Sequence, residues 1–114
     1  MKRIAALLLQ VTCVLLYTIG YADPASLMQK ASAMAEEAGT ELGLTTEEKA
    51  TLKMLFFEKL DHTEQRTRTI TDTAERSQVM KQIHQEFTRK LYKTYNRKTS
   101  SKIEGWYYNY TNKK

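Results

Sequence analysis

Apolar residues in this chain recur at steps of three and four and nowhere alternate over the length of a strand, which commits it to helices packed through one face. Four segments carry the pattern. Asp23-Pro24 has the order of an N-cap followed by a first-turn proline, and Leu27, Met28, Ala31, Met34, Ala35 and Ala38 follow on one face, with Gly39 as the expected stop. Leu44-Thr45-Thr46-Glu47-Glu48 sets a capping box ahead of a second stripe made by Leu52, Leu55, Phe56 and Leu60, with Met54 and Phe57 widening it. A turn is expected near Thr69 to Thr73, and Asp72 with Glu75 repeats the capping pattern. Val79, Met80, Ile83, Phe87, Leu91 and Tyr95 then predict the longest helix. Asn96 to Ser101 reads as a break, and Ile103, Trp106, Tyr107 and Tyr110 predict a short aromatic helix despite Gly105.

The first residues read differently. Lys2 and Arg3 precede an apolar run from Ile4 to Leu16, and small or turn-forming residues follow at Thr18, Gly20 and Ala22. That order is a secretory signal, with cleavage expected after Ala22, and the run is short for a membrane span of ~20 residues. The domain organisation is therefore a signal peptide over 1–22 and a single helical domain over 23–114, periplasmic or secreted. Cys13 lies in the removed part, so the mature domain folds without disulfide, thiol nucleophile or thiolate metal site. Only 31 of its 92 residues are apolar. So thin a supply predicts an elongated all-α fold, a helical hairpin flanked by shorter helices, with an antiparallel homodimer as one way to cover what remains.

Charge divides the domain. Residues 23–75 carry six basic and eleven acidic side chains, whereas residues 76–114 carry ten basic and two acidic. The two halves can pair with each other along antiparallel helices, or the basic half can meet an anionic partner.

Motifs for catalysis are missing: there is no nucleophile elbow, phosphate loop or dinucleotide fingerprint. The carboxylate pairs Glu36/Glu37, Glu47/Glu48 and Asp61/Glu64 sit where helix starts and solvated faces want acid, and neighbours in a helix diverge, so acid/base catalysis is not expected. His62 and His84 fall on the two arms of the expected hairpin. Neither has a histidine or cysteine at i+3 or i+4, so a metal site would need distant ligands, and surface positions are expected for both. Tyr92, Tyr95, Trp106, Tyr107, Tyr108 and Tyr110 interleave with basic residues as in single-strand binders, but the same composition seats rings on a core beneath lysine and arginine stems, and export argues against nucleic acid. Asn109-Tyr110-Thr111 matches a glycosylation acceptor. No enzyme, cofactor or metal is expected.

Leu42-Gly43-Leu44-Thr45-Thr46-Glu47-Glu48-Lys49 resembles the first signature of the LTxxQ family of periplasmic stress proteins, the Spy/CpxP-like group. There a leucine-threonine pair opens a helix and a glutamine follows three residues after the threonine; here Leu44 and Thr45 match and Glu48 stands for the glutamine, which keeps the capping chemistry. At the place of the second signature stands Lys98-Thr99-Ser100-Ser101-Lys102, retaining the threonine alone. The resemblance spans about Leu42 to Tyr108. It implies a thin, bent hairpin that pairs into a cradle, and a chaperone or accessory that binds unfolding clients or a stress-sensor partner without ATP. By position, Leu44, Thr45 and Glu48 are structural caps. Met54, Phe57, Arg76, Arg89, Lys90, Lys93 and Arg97 are the candidates for client contact, since methionine and aromatic groups adapt to apolar segments and a basic rim attracts acidic ones. Two other expectations are an envelope interaction protein meeting an anionic surface through Arg76 to Lys114, and a metal-responsive protein using His62 and His84.

Overall fold

The computed structural model describes residues 23–112; the expected signal peptide and Cys13 lie outside them. Within that range the chain is all-α: α1 (Pro24–Leu42), α2 (Thr46–Thr67), α3 (Thr73–Thr94) and α4 (Arg97–Asn112). Among the described residues no helix is long and apolar enough to cross a membrane.

Each helix starts where a side chain satisfies free amides. Asp23 accepts from the Ser26 amide at 2.8 Å. Thr45 and Glu48 close the capping box in both directions, the Glu48 amide donating to Thr45 Oγ1 at 3.1 Å and the Thr45 amide to Glu48 Oε1 at 2.9 Å. Asp72 accepts from the Glu75 amide at 2.9 Å. The fourth start departs from expectation: the break before the aromatic helix is confined to Tyr95 and Asn96, not spread to Ser101. Tyr95 is extended, and Asn96 Oδ1 accepts from the Thr99 amide at 2.8 Å, so α4 begins at Arg97. Ser100 is inside the corner rather than in a loop, fully buried with its hydroxyl donating to the Leu91 carbonyl at 3.0 Å.

A second departure concerns Gly39. The first helix runs past it to Leu42 and is ended by Gly43, which takes the left-handed conformation at φ 68° while the Leu44 amide donates back to the Gly39 carbonyl at 2.9 Å. Gly39 is needed for proximity: a Cβ there would lie 2.2 Å from Lys49 Cδ and 2.4 Å from Lys49 Cγ. The third helix is not the longest, since α2 and α3 both have 22 residues.

The helices form a closed circuit, α1 on α2, α2 on α3, α3 on α4 and α4 back on α1. The α2–α3 hairpin is the long element, each arm about 33 Å at 1.5 Å per residue. Its antiparallel register is set by the buried stacking of Phe56 on Phe87, and two exposed ion pairs agree with it, Arg66 with Glu86 at 2.7 Å and Lys90 with Glu58. At the other end the Tyr95 hydroxyl donates to the Glu48 carbonyl at 2.7 Å, tying the end of α3 to the start of α2. Alanine and methionine on α1 (Ala31, Met34, Ala35, Ala38) meet Leu52 and Phe56 of α2, Phe87 and Leu91 of α3, and Ile103 and Trp106 of α4 in one buried cluster. Fully burying a large apolar side chain contributes ~1.5–3 kcal/mol, so the few such residues must be placed together to hold the fold.

Candidate functional site

The centre of the cluster is aromatic. Phe56 stacks on Phe87 with ring centroids 5.7 Å apart and meets Trp106 at 5.8 Å and Tyr107 at 5.9 Å, so α2, α3 and α4 converge on one ring. Tyr107 carries His84 on α3 at 6.0 Å, and Trp106 stacks on Tyr110 at 5.0 Å. Lys59 enters the same group because it follows Phe56 by three positions on α2. Its ammonium lies 5.1 Å from the Tyr107 centroid and 5.6 Å from that of Phe87, with the negative ring faces toward it.

The ionisable groups here report loss of water. Burial pulls the Lys59 pKa down from the usual lysine value. His84 is likewise held below the ordinary histidine value by burial and then by the Lys59 charge, with Glu104 opposing. Burial pushes the Tyr107 hydroxyl up to about 12, aided by Tyr110, and the Tyr95 hydroxyl up to about 12, aided by the Glu48 charge. Phe56 and Phe87 form the platform on which Trp106 and Tyr107 of α4 sit.

Outside the platform, α3 and α4 leave an open groove of about 620 Å³ lined by His84, Ser101, Glu104, Gly105, Tyr107 and Tyr108. A Cβ on Gly105 would meet nothing within 4 Å, so the groove floor is open there. Glu104 is engaged at one side, accepting from the Tyr92 hydroxyl at 2.9 Å. Tyr108 and Tyr92 are exposed beside it, 68% and 39%. Two other large apolar side chains reach solvent, Met54 on α2 and Met80 on α3, at 51% and 45%.

The residues nominated from the sequence do not form one patch. Met54 faces outward, whereas Phe57 is half-buried against the core cluster. Lys90 is held by Glu58 across the hairpin, the charge pairing between halves anticipated for these helices. Arg89, Lys93 and Arg97 are exposed near the α3–α4 corner, while Arg76, also exposed, stands in the first turn of α3, about 25 Å from Lys93 along the axis. The caps Thr45 and Glu48 hydrogen-bond as the spacing requires, and Leu44 packs its side chain against the core.

The ring-bound Lys59 is absent from the sequence reading, whereas Tyr92 and Tyr108 figure there as rings among basic residues and Met80 on the apolar stripe of the third helix, from which it departs by standing exposed. Their signals are present in the spacing. Tyr108 falls off the stripe of Ile103, Trp106, Tyr107 and Tyr110, and Lys59 falls on the stripe of Phe56. The histidines diverge in surroundings: His84 stacks on Tyr107, and His62 lies beside Leu55, Glu58, Ile83 and Glu86. Among the described residues no group of three or more His, Cys, Asp or Glu is placed to hold a metal ion. Glu36 pairs with Lys49 at 3.5 Å, and Asp61 accepts from the Gln65 amide, which gives these carboxylates local structural partners.

The chain matches no protein-family model, and no curated protein or solved structure is measurably similar to it.

Proposed function

We propose that this is an exported binding protein that holds apolar segments of unfolding clients, or a stress-sensor partner, without ATP, as the Spy/CpxP-like resemblance at Leu44, Thr45 and Glu48 implies. The observation that carries the reading is the exposure of Tyr108, Tyr92, Met54 and Met80 on a frame that uses its remaining large apolar groups for its own core. Exposed apolar groups gathered at one place among charges mark contact surfaces, as Tyr92 and Tyr108 are beside the groove, and methionine and tyrosine suit varied partners because one is flexible and the other presents both a ring and a hydroxyl. Arg89, Lys93 and Arg97 stand beside Tyr92 in sequence and at the corner, where they favour segments flanked by acid.

The test is light scattering from an unfolding client protein mixed with the purified protein and no nucleotide. Suppression at near-stoichiometric ratios, weakened when Tyr92, Tyr108, Met54 and Met80 are replaced by serine, is the expected result. No protection at any ratio refutes it. The exposed Arg89, Lys93, Arg97, Lys98 and Lys102 around the same corner favour one other reading, contact with an anionic envelope surface. Retention on anionic vesicles that falls steeply with salt, in a protein that gives no client protection, would establish that reading instead.

A further inference from the structure

The side of α4 turned away from the core carries an ordered set of residues of its own. Ser101, Glu104, Gly105 and Tyr108 fall at i, i+3, i+4 and i+7, so they share one face, and with His84 and Tyr107 they line the groove of about 620 Å³. Asn109 and Thr111 complete the lining.

The charge of this lining restricts what can enter. Residues 76–114 hold ten basic and two acidic side chains, yet no lysine or arginine lines the groove, while one of the two carboxylates, Glu104, does. An anion would find no cation here. A metal ion would find one carboxylate and one imidazole, short of a ligand set. A cationic ligand would meet a single carboxylate already shared with the Tyr92 hydroxyl, and a Tyr107 ring already facing the Lys59 ammonium at 5.1 Å. A wholly apolar ligand would strip water from Glu104, Asn109 and Ser101 and give nothing back.

What the lining suits is a neutral ligand rich in hydroxyls that also has a weakly polar flat face. The Glu104 carboxylate is oriented in advance by the Tyr92 hydroxyl at 2.9 Å and accepts hydrogen bonds. Burial keeps the His84 imidazole uncharged at neutral pH, so its ring nitrogens offer one donor and one acceptor. The Asn109 amide and the Ser101 hydroxyl, both exposed, each donate and accept. Tyr108, 68% exposed, supplies an open ring, and beside it Gly105 leaves bare backbone, where an added Cβ would meet nothing within 4 Å. We propose that this groove binds a short neutral saccharide, one sugar ring resting on Tyr108 over Gly105 and its hydroxyls shared among Glu104, Asn109 and Ser101. The face from Ser101 to Tyr108 is about 10 Å long at 1.5 Å per residue, which accommodates about two linked sugar rings. Cleavage is no part of the role, because glycoside hydrolysis takes a pair of flanking carboxylates and the groove lining has one. The proposal does not rest on client binding, since the sugar is measured with no client present.

The experiment is a titration of the isotope-labelled protein, in its natural processed form, with cellotriose, maltotriose and tri-N-acetylchitotriose, followed by backbone amide shifts. These neutral probes differ in linkage and in acetamido groups. At least one is expected to bind with a dissociation constant of ~1 mM or tighter. The shifts should gather at His84 and from Ser101 to Thr111, and the affinity should change less than ~twofold between ~50 mM and ~500 mM salt, since no net charge is neutralised. Tyr108→Ala removes the ring, and Gly105→Leu puts a side chain where the sugar would lie; each is expected to weaken binding ~tenfold or more. Leucine is a far better helix former than glycine and this position is open, so Gly105→Leu should melt no lower than the parent, and its loss of binding is not a loss of fold. Met54→Ser, on α2 and outside the groove, should bind as the parent does. No binding of any of the three sugars up to ~10 mM overturns the proposal. So do shifts centred elsewhere, an affinity that falls steeply with salt, or binding that either groove variant leaves unchanged. A protein that takes the sugar but protects no client upholds this site and removes the client reading, and the converse result does the reverse.

Discussion

Replacing Phe56 with alanine should remove a large part of the stability of the fold. Phe56 is fully buried and touches Phe87, Trp106 and Tyr107, one ring on α3 and two on α4. Loss of a buried phenylalanine costs ~3–5 kcal/mol, and ring pairs of this geometry contribute ~0.5–1.5 kcal/mol each beyond burial. We take ~4 kcal/mol, because the alanine and methionine of α1 can close part of the space. A domain of this size is stable by roughly 5–13 kcal/mol in total. Urea denaturation should therefore show a midpoint lower by ~2–4 M at a slope of ~1–2 kcal/mol/M, and a melting temperature lower by ~15–30 °C. Phe57→Ala is the internal control. That side chain is half-buried, so its loss should cost ~2 kcal/mol or less. If Phe56→Ala costs under ~2 kcal/mol, or if Phe57→Ala matches it, the convergence of three helices on one ring is not what holds the structure.

Other outcomes follow from local features. Thr45→Ala opens the capping box and should cost ~1 kcal/mol by denaturation, whereas Glu48→Gln keeps an acceptor oxygen for the Thr45 amide and should cost less than half as much. His84 has its pKa depressed by burial and by Lys59, so the unfolded chain binds its proton more readily. The sign is then fixed: its contribution is fully present above the ordinary histidine value of about 6.5 and is lost as pH falls toward the folded value. Thermal melts from pH 7.5 down to 5.5 should fall, and His84→Phe, which keeps a ring on Tyr107, should flatten that fall; an equal slope in the variant would assign the effect elsewhere.

The elements were readable because three of the four helix starts are written as side chain followed by amide at fixed spacing, and because the buried positions follow one period. Leu52, Phe56, Ile83, Phe87, Leu91, Ile103 and Trp106 are all buried as that period requires. The errors came where a residue served a purpose outside its own helix. Gly39 resembled a stop signal because glycine is usual there, yet it is the passing stem of Lys49 that demands it. The stretch from Asn96 to Ser101 looked like a loop because hydroxyls and charges crowd it, while Ser100 is buried to reach the Leu91 carbonyl. For the candidate site, spacing placed Met54 on the flank and the basic residues on α3. It could not show that Lys90 is already taken by Glu58, which depends on the register between two helices.

The close pass at Gly39 also restricts how α1 can move. A bare Cα in the last full turns of that helix forms a notch, and the Lys49 stem is the peg that fills it, with the ammonium drawn on toward Glu36. Sliding α1 along α2 by one turn so that Ala35 takes the place of Gly39 would bring the peg under a methyl group and lose the fit. Ala31, Ala35 and Ala38 on that face are alike in size and would pack almost equally well one turn along, so this single missing methyl group helps to index the two helices to one another.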